Sequence, residues 1–252
     1  THCISSAASD VYKRQLYSGA KRPFAERGEP YPQFLLNLPR LGDGPHSLLL
    51  RVQSHSAINL PLQVVGAEQG QQLIAYSWLQ SGLLIGALLA LALFYLVKFS
   101  TLREAQLAYF SLTSLCVALY NTSLYNIAGL LWPQWTLLPK LLINLPTAGM
   151  MIFSSLFIAS ALGLQLGRLR WLRDALFGAT LLVCIGGVFI DHPHAYQTLN
   201  LLTLATGLYQ LLLMILGVYQ RRPYAPGYLL CWSAALVLML LVPLSRAGLI
   251  PL

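Results

Sequence analysis

The residues best able to do chemistry lie together in one short segment, Asp191-His192-Pro193-His194. A carboxylate and two imidazoles could ligate zinc, but a further ligand from a helix is lacking, and polar residues in a tight turn are more often simply solvated. This segment is also the only candidate catalytic cluster, because phosphate-binding loops, nucleophile elbows, zincin helices and paired-cysteine zinc motifs are absent from the sequence. The sequence therefore predicts a chain that is not an enzyme and binds no metal or other cofactor.

Ionisable side chains do not occur in the middle of any long apolar segment. Glu104, Asp174 and Asp191 all lie at segment ends. A charge at membrane depth costs at least about 2.5 kcal/mol, so proton relays and ion pathways are recognisable by such residues. Their absence weakens the case for an ion-coupled transporter. A light-driven opsin stays open, because its retinal-linking lysine would lie in a seventh helix, although no mid-segment carboxylate offers a counter-ion.

Amide and phenol side chains are the polar groups that do occur inside the apolar segments. They could line a ligand pocket, but interhelical hydrogen bonding that fixes helix register is the commoner use of such groups. The sequence leaves both uses open. The set comprises Asn121, Asn126, Asn144, Asn200, Gln210, Tyr109, Tyr120, Tyr125 and Tyr209.

The elements that must position these groups are six stretches without a charged residue between Gln69 and Ser245. A helix needs about 20 apolar residues to cross the hydrocarbon core of a bilayer, and roughly 17 to 25 are tolerated. Short connections between the stretches indicate antiparallel neighbours. The fold class predicted is a membrane all-α helical bundle with spans at 75–98, 106–130, 138–162, 171–190, 196–219 and 226–245, in which Pro146 kinks the third span.

Composition and charge agree with a membrane protein. Hydrophobic residues make up 56% of the 252-residue chain and charged residues 10%, which is too little polar surface for a soluble protein of this length. The net charge of +8 does not indicate nucleic-acid binding, because basic residues cluster between spans rather than on one soluble face, and membrane lipid is the predicted partner. Three of the four cysteines fall inside spans, which argues against a disulfide.

Lys and Arg are distributed unequally between the two sets of loops. The first, third and fifth connections hold Lys98, Arg103, Arg168, Arg170, Arg173, Arg221 and Arg222, whereas the others hold Lys140 and Arg246. Because basic residues accumulate in cytoplasmic loops, the odd-numbered connections are predicted to be cytoplasmic. The predicted location is the inner membrane of a bacterium, with the N-terminal segment in the periplasm.

The residues before the first span have a different amino-acid composition from the spans. Residues 1–15 resemble a translated sequencing adapter or a polar tail and are predicted to lie outside the folded domains. Residues 16–73 are rich in Pro, Gly and charge, and contain candidate strands at 33–38, 47–54 and 60–65. Three strands make a poor core on their own, so this segment is predicted to be part of an extracytoplasmic β-sandwich that precedes the transmembrane domain at 74–252.

Several short motifs resemble one family, the bacterial seven-transmembrane receptors with diverse intracellular signalling modules, joined to their second type of extracellular domain. Arg22-Pro23-Phe24-Ala25-Glu26-Arg27 is similar to a Pro-Phe-x-x-Arg signature, and the strand through Arg51-Val52-Gln53-Ser54 to one ending in Arg-Val-x-Ser. The Gly82 to Ala90 stretch resembles a Gly-rich opening helix, and Ala108-Tyr109-Phe110 a Tyr-containing second helix. The chain departs from the family at Gly19-Ala20, where a Gly-Asp pair is usual, and at Phe94-Tyr95, where an Asn is frequent.

The resemblance implies a sensory receptor whose seventh helix and cytoplasmic output domain, a histidine kinase or diguanylate cyclase, would follow Leu252. It also implies a small, carbohydrate-like extracytoplasmic ligand and a homodimer in the intact protein. Arg27 and Arg51 are the candidate ligand contacts, although structural ion pairs with nearby acidic residues are the commoner use of such arginines. The alternative function is a small-molecule transporter or channel, which would require a continuous polar path along the helices.

Overall fold

A computed structural model describes residues 64–125, 127–131, 134–135, 137–189 and 193–234. Six helices are bounded within these ranges: α1 Ala67–Leu102, α2 Ala105–Leu124, α3 Ile127–Leu131, α4 Leu138–Ala161, α5 Leu169–Phe189 and α6 Pro193–Tyr219. A seventh helix, α7, covers residues 225–234 of the described part. The predicted β-sandwich and the C-terminal half of the sixth span lie outside the described residues, apart from Val64 and Val65, which are not in a strand.

Five of these helices are long and apolar enough to cross a bilayer: Glu68–Leu102, Ala105–Leu124, Leu138–Ala161, Leu169–Phe189 and Gln197–Tyr219. They correspond in order to the first five predicted spans, so the membrane helical bundle is observed where the structure describes the chain. Large apolar side chains such as Leu83 and Phe189 are exposed on the outside. This arrangement suits a bilayer, in which backbone polar groups are satisfied within each helix and apolar side chains face lipid.

Helix α4 is the centre of the described bundle. It packs against α2, α5 and α6, whereas α1 packs against α2. Small residues allow the closest approaches: a Cβ atom added at Gly149 would lie 2.5 Å from the Cys116 Sγ of α2, and one added at Gly217 would lie 2.9 Å from the Leu162 Cδ1. The main apolar core lies at one end of the bundle and is formed by Ile158, Leu162, Leu166, Tyr209, Leu213, Met214 and Ala225.

The second helix is shorter than the sequence predicts. Instead of continuing to residue 130, α2 ends at Leu124, and the separate five-residue α3 follows. The side chains of Asn121 and Thr122 donate to the carbonyl oxygens of Val117 and Leu119, at 2.8 and 2.6 Å. The Tyr125 N–H donates to the Asn121 carbonyl at 2.9 Å and closes the last turn of α2.

Helix α1 is longer than the predicted span of 75–98. It runs for 36 residues, from Ala67 to Leu102, and therefore starts before the predicted domain boundary at residue 74. At a rise of 1.5 Å per residue it is about 54 Å long, whereas a hydrocarbon core is about 30 Å thick. Part of α1 must therefore project beyond the hydrocarbon. The helix ends at Arg103, which adopts a left-handed conformation with φ 57° while its N–H donates to the Phe99 carbonyl.

Candidate functional site

The candidate ligand and metal residues of the sequence fall mostly outside the part of the chain that the structure describes. This holds for Arg27, Arg51, Asp191 and His192, while His194 lies near the start of α6. Within the described ranges, no group of three or more His, Cys, Asp or Glu side chains could hold a metal ion. The described candidate sites are instead a buried polar network and a chain of aromatic rings that contact one another between helices.

The polar network joins α6 to α4. The Nε2 of Gln210 donates to the Ser154 Oγ at 2.7 Å and to the Ser155 Oγ at 2.9 Å. Both serine hydroxyls in turn donate to carbonyl oxygens of their own helix, those of Met150 and Met151. Gln210 is 2% exposed, so these bonds form away from solvent. Gln210 thus makes the interhelical hydrogen bonds that are one of the two uses predicted for the buried amides.

The remaining amides behave differently. Asn144 is buried, but its Nδ2 donates to the Lys140 carbonyl one turn earlier, and its Oδ1 faces Gly187 of α5 so closely that a Cβ atom there would lie 3.0 Å away. Asn121 also bonds within its own helix, and Asn200 is exposed. Asn126 lies outside the described residues. Asn144 therefore sets the close approach of α4 and α5 by shape rather than by an interhelical hydrogen bond.

An aromatic chain crosses the bundle from α1 to α7. Phe94 and Tyr95 have ring centroids 5.4 Å apart, Tyr95 and Phe110 4.4 Å, Phe110 and Phe157 5.3 Å, and Phe157 and Tyr228 6.0 Å. Several of these pairs are edge-to-face, an arrangement worth about 0.5 to 1.5 kcal/mol beyond area burial. The five rings belong to α1, α2, α4 and α7, so they connect the first described helix to the last.

Hydrogen bonding and charge flank the α1 end of this aromatic chain. The Ser111 Oγ of α2 donates to the Ala92 carbonyl of α1 at 2.7 Å, one turn from Tyr95. The Lys98 Nζ lies 4.8 Å from the centre of the Phe94 ring, a distance suited to a cation–π interaction. The aromatic chain therefore lies at the end of α1 that carries the basic first connection.

Sequence reasoning named Gln210 and Phe94-Tyr95 but did not identify their partners. Ser154 and Ser155 were overlooked because serine is so common in membrane helices that it gives no signal by itself. The pair stands at consecutive positions, which places one hydroxyl on each side of the helix face that meets α6. Phe157 and Tyr228 are far apart in sequence, and only the packing of α7 against α4 brings their rings together.

Comparison with known proteins identifies the family of the chain. The sequence model of the family described as "7TM diverse intracellular signalling" matches residues 77–252, and that of "7TMR-DISM extracellular 2" matches residues 7–66. The second match begins at residue 7, within the predicted adapter or tail segment 1–15, and ends one residue before α1. No curated protein and no solved structure matches the chain. The first match covers well over half of the 252 residues, and the two matches follow one another in the order that the sequence motifs indicated. The chain therefore belongs to the seven-transmembrane receptors with diverse intracellular signalling modules.

Proposed function

We propose that this receptor detects a small extracytoplasmic molecule, carbohydrate-like in chemistry, and relays its binding through the helical bundle to a cytoplasmic signalling domain of the histidine kinase or diguanylate cyclase type. The observation that carries the proposal is the junction at residues 66 and 67. The extracellular-domain match ends at residue 66, and α1 begins at Ala67. A flexible linker is therefore not needed between the sensor and the membrane helix.

A continuous helix transmits a displacement better than a linker does, because bending it requires breaking backbone hydrogen bonds. Helix α1 packs extensively against α2, so a displacement of α1 would act directly on α2. A shift of the extracytoplasmic end of α1 would move Tyr95 against Phe110, and through Phe157 would reach Tyr228. Ligand binding would thereby bias one of two helix arrangements, which is the general requirement for a switch.

We also propose where the receptor lies in the cell, how it is oriented in the membrane and how many copies act together. It would lie in the inner membrane of a bacterium, with the segment before α1 in the periplasm and the basic odd-numbered connections in the cytoplasm. Kinase and cyclase domains generally act in pairs, so the intact receptor would act as a homodimer. Arg27 and Arg51 would contact the ligand, since guanidinium groups donate several hydrogen bonds in a fixed geometry.

The test uses Cys231, which is exposed on α7, as the site of a trifluoromethyl label for ¹⁹F NMR in lipid nanodiscs. Cys3, Cys116 and Cys184 are first replaced by Ser, Ala and Ala, and the protein is titrated with a panel of mono- and disaccharides. A saccharide that binds should shift the populations of two label signals. Phe157→Leu, which removes two ring contacts, should abolish the shift without preventing binding.

The matched control is Phe189→Leu, because Phe189 is 76% exposed and has no part in the aromatic chain. This variant should respond to saccharide as the unchanged protein does. Arg27→Ala or Arg51→Ala should weaken binding itself. Measurable solute flux in proteoliposomes, together with a label signal that no bound solute changes, would contradict the receptor and favour the transporter.

A further inference from the structure

Two threonines in the middle of the bundle have buried hydroxyl groups that no described residue pairs with. Thr180 of α5 is 1% exposed and Thr206 of α6 is 2% exposed, yet neither Oγ1 has a hydrogen-bond partner in the described part of the protein. A buried hydroxyl without a partner costs about 1 to 3 kcal/mol. Both side chains therefore need an explanation other than ordinary helix packing.

Other threonine side chains in these helices hydrogen-bond to a backbone carbonyl of their own helix. Thr113, Thr147 and Thr203 each donate to the carbonyl oxygen four residues earlier, at 2.8, 2.6 and 2.8 Å. This back-bonding is the usual arrangement for a hydroxyl inside a helix. Thr180 and Thr206 depart from it although the same kind of acceptor is available one turn earlier, so their hydroxyls point elsewhere.

Contacts between helices place the two hydroxyls at one level. Gln210 meets Ser155 and Gly217 meets Leu162, so each residue of α6 lies level with the residue of α4 numbered 55 lower. This register brings Thr206 to Met151, which is buried on α4.

Helix α5 runs in the opposite direction along α4. Gly187 faces Asn144, and the Cys184 thiol lies within hydrogen-bonding reach of the Ala148 backbone. One further turn of each helix brings Thr180 to the level of residues 151 and 152. The unpaired hydroxyl groups of Thr180 and Thr206 therefore lie at the same depth in the bundle, beside the same stretch of α4.

We propose that Thr180 and Thr206 hold an internal water site between α4, α5 and α6, next to the Gln210–Ser155 hydrogen bond. A buried water needs two to four polar partners, and each hydroxyl can both donate and accept. The segments around this level carry no charged residue, so an uncharged hydrogen-bonding molecule suits the site better than an ion. The site would place a bound water between three helices in a part of the bundle that is otherwise closely packed.

X-ray radiolytic footprinting of the full chain in nanodiscs tests this site, because radicals formed from a bound water oxidise the side chains next to it even when these are buried. Met151 is the reporter, and Met214, which is 1% exposed and lies two turns away, is the internal reference. Met151 should be oxidised several-fold faster than Met214. The isosteric pair Thr180→Val and Thr206→Val should remove that difference.

Two further variants make the result specific. Thr203→Val removes a hydroxyl that is already bonded to the Leu199 carbonyl and should leave the oxidation of Met151 unchanged. Thr180→Ser with Thr206→Ser keeps both hydroxyls and should preserve fast oxidation, which also covers the case in which the valine pair does not fold. Equal oxidation of Met151 and Met214 in the unchanged protein, or fast oxidation of Met151 in a folded valine pair, would overturn the proposal.

Discussion

The interhelical bonds of Gln210 allow a quantitative prediction. Replacing Gln210 with Met keeps the length and the approximate volume of the side chain but removes the donor. Interhelical hydrogen bonds in membrane proteins are worth about 0.6 kcal/mol on average and up to about 1.7 kcal/mol. Since one Nε2 serves both Ser154 and Ser155, we expect the two bonds together to contribute about 1 kcal/mol.

The serine hydroxyls keep their bonds to the α4 backbone when Gln210 is replaced, so no buried donor is left unpaired on that helix. This limits the cost of the variant to the lost bonds and to the repacking of an apolar chain. A double-mutant cycle separates these two contributions. It compares Gln210→Met, the pair Ser154→Ala and Ser155→Ala, and all three changes together.

Equilibrium unfolding in mixed detergent micelles measures each variant of the cycle. We expect a coupling free energy of about 1 kcal/mol between Gln210 and the two serines. Ser111→Ala is the control, because its hydroxyl bonds to α1 and its effect should add to that of Gln210→Met. Coupling below about 0.3 kcal/mol, the scatter expected of independent sites, would refute the role assigned to Gln210.

Three other predictions concern packing, backbone strain and exposure. Gly217→Ala should destabilise the protein by about 1 to 3 kcal/mol through overpacking, since its new Cβ atom would lie 2.9 Å from the Leu162 Cδ1 and 3.2 Å from the Ala225 Cβ. Gly86→Ala, in open space, should be neutral or stabilising in the same unfolding assay. Arg221→Gly should raise the free energy of unfolding by about 1 kcal/mol, because Arg221 has φ 53° and glycine adopts that conformation without strain; no gain would show that the strain is absent. A lipid-soluble maleimide should react with exposed Cys231 much faster than with buried Cys184, and equal rates in the folded protein would contradict the packing of α5.

The sequence predicts the membrane helices well because one physical requirement dominates them. An apolar stretch with few charges has few alternatives in a bilayer, so the spans predicted at 138–162 and 171–190 lie close to the observed helices Leu138–Ala161 and Leu169–Phe189. Helix ends are less predictable. The end of α2 at Leu124 falls inside a stretch without charged residues, and the polarity of single residues inside such a stretch gives little signal.

The candidate sites were harder to predict, because they depend on how helices pack. Gln210 could be singled out as a polar group in an apolar span, but only the register of α6 on α4 selects Ser154 and Ser155 as its partners. The unpaired hydroxyls of Thr180 and Thr206 are recognisable only against the back-bonded threonines around them. Arg27 and Arg51 stay predictions, since they lie outside the described residues.

Membrane topology is the most direct test of the receptor as a whole. Cysteines introduced at exposed Gln69 and exposed Gln165, in a chain without its own cysteines, can be probed with a membrane-impermeant maleimide in cells whose outer membrane has been opened. We expect labelling at position 69 in intact inner membranes and at position 165 only after the membrane is permeabilised. Labelling at position 165, but not at position 69, before permeabilisation would show that the sensor segment faces the cytoplasm and would contradict this account.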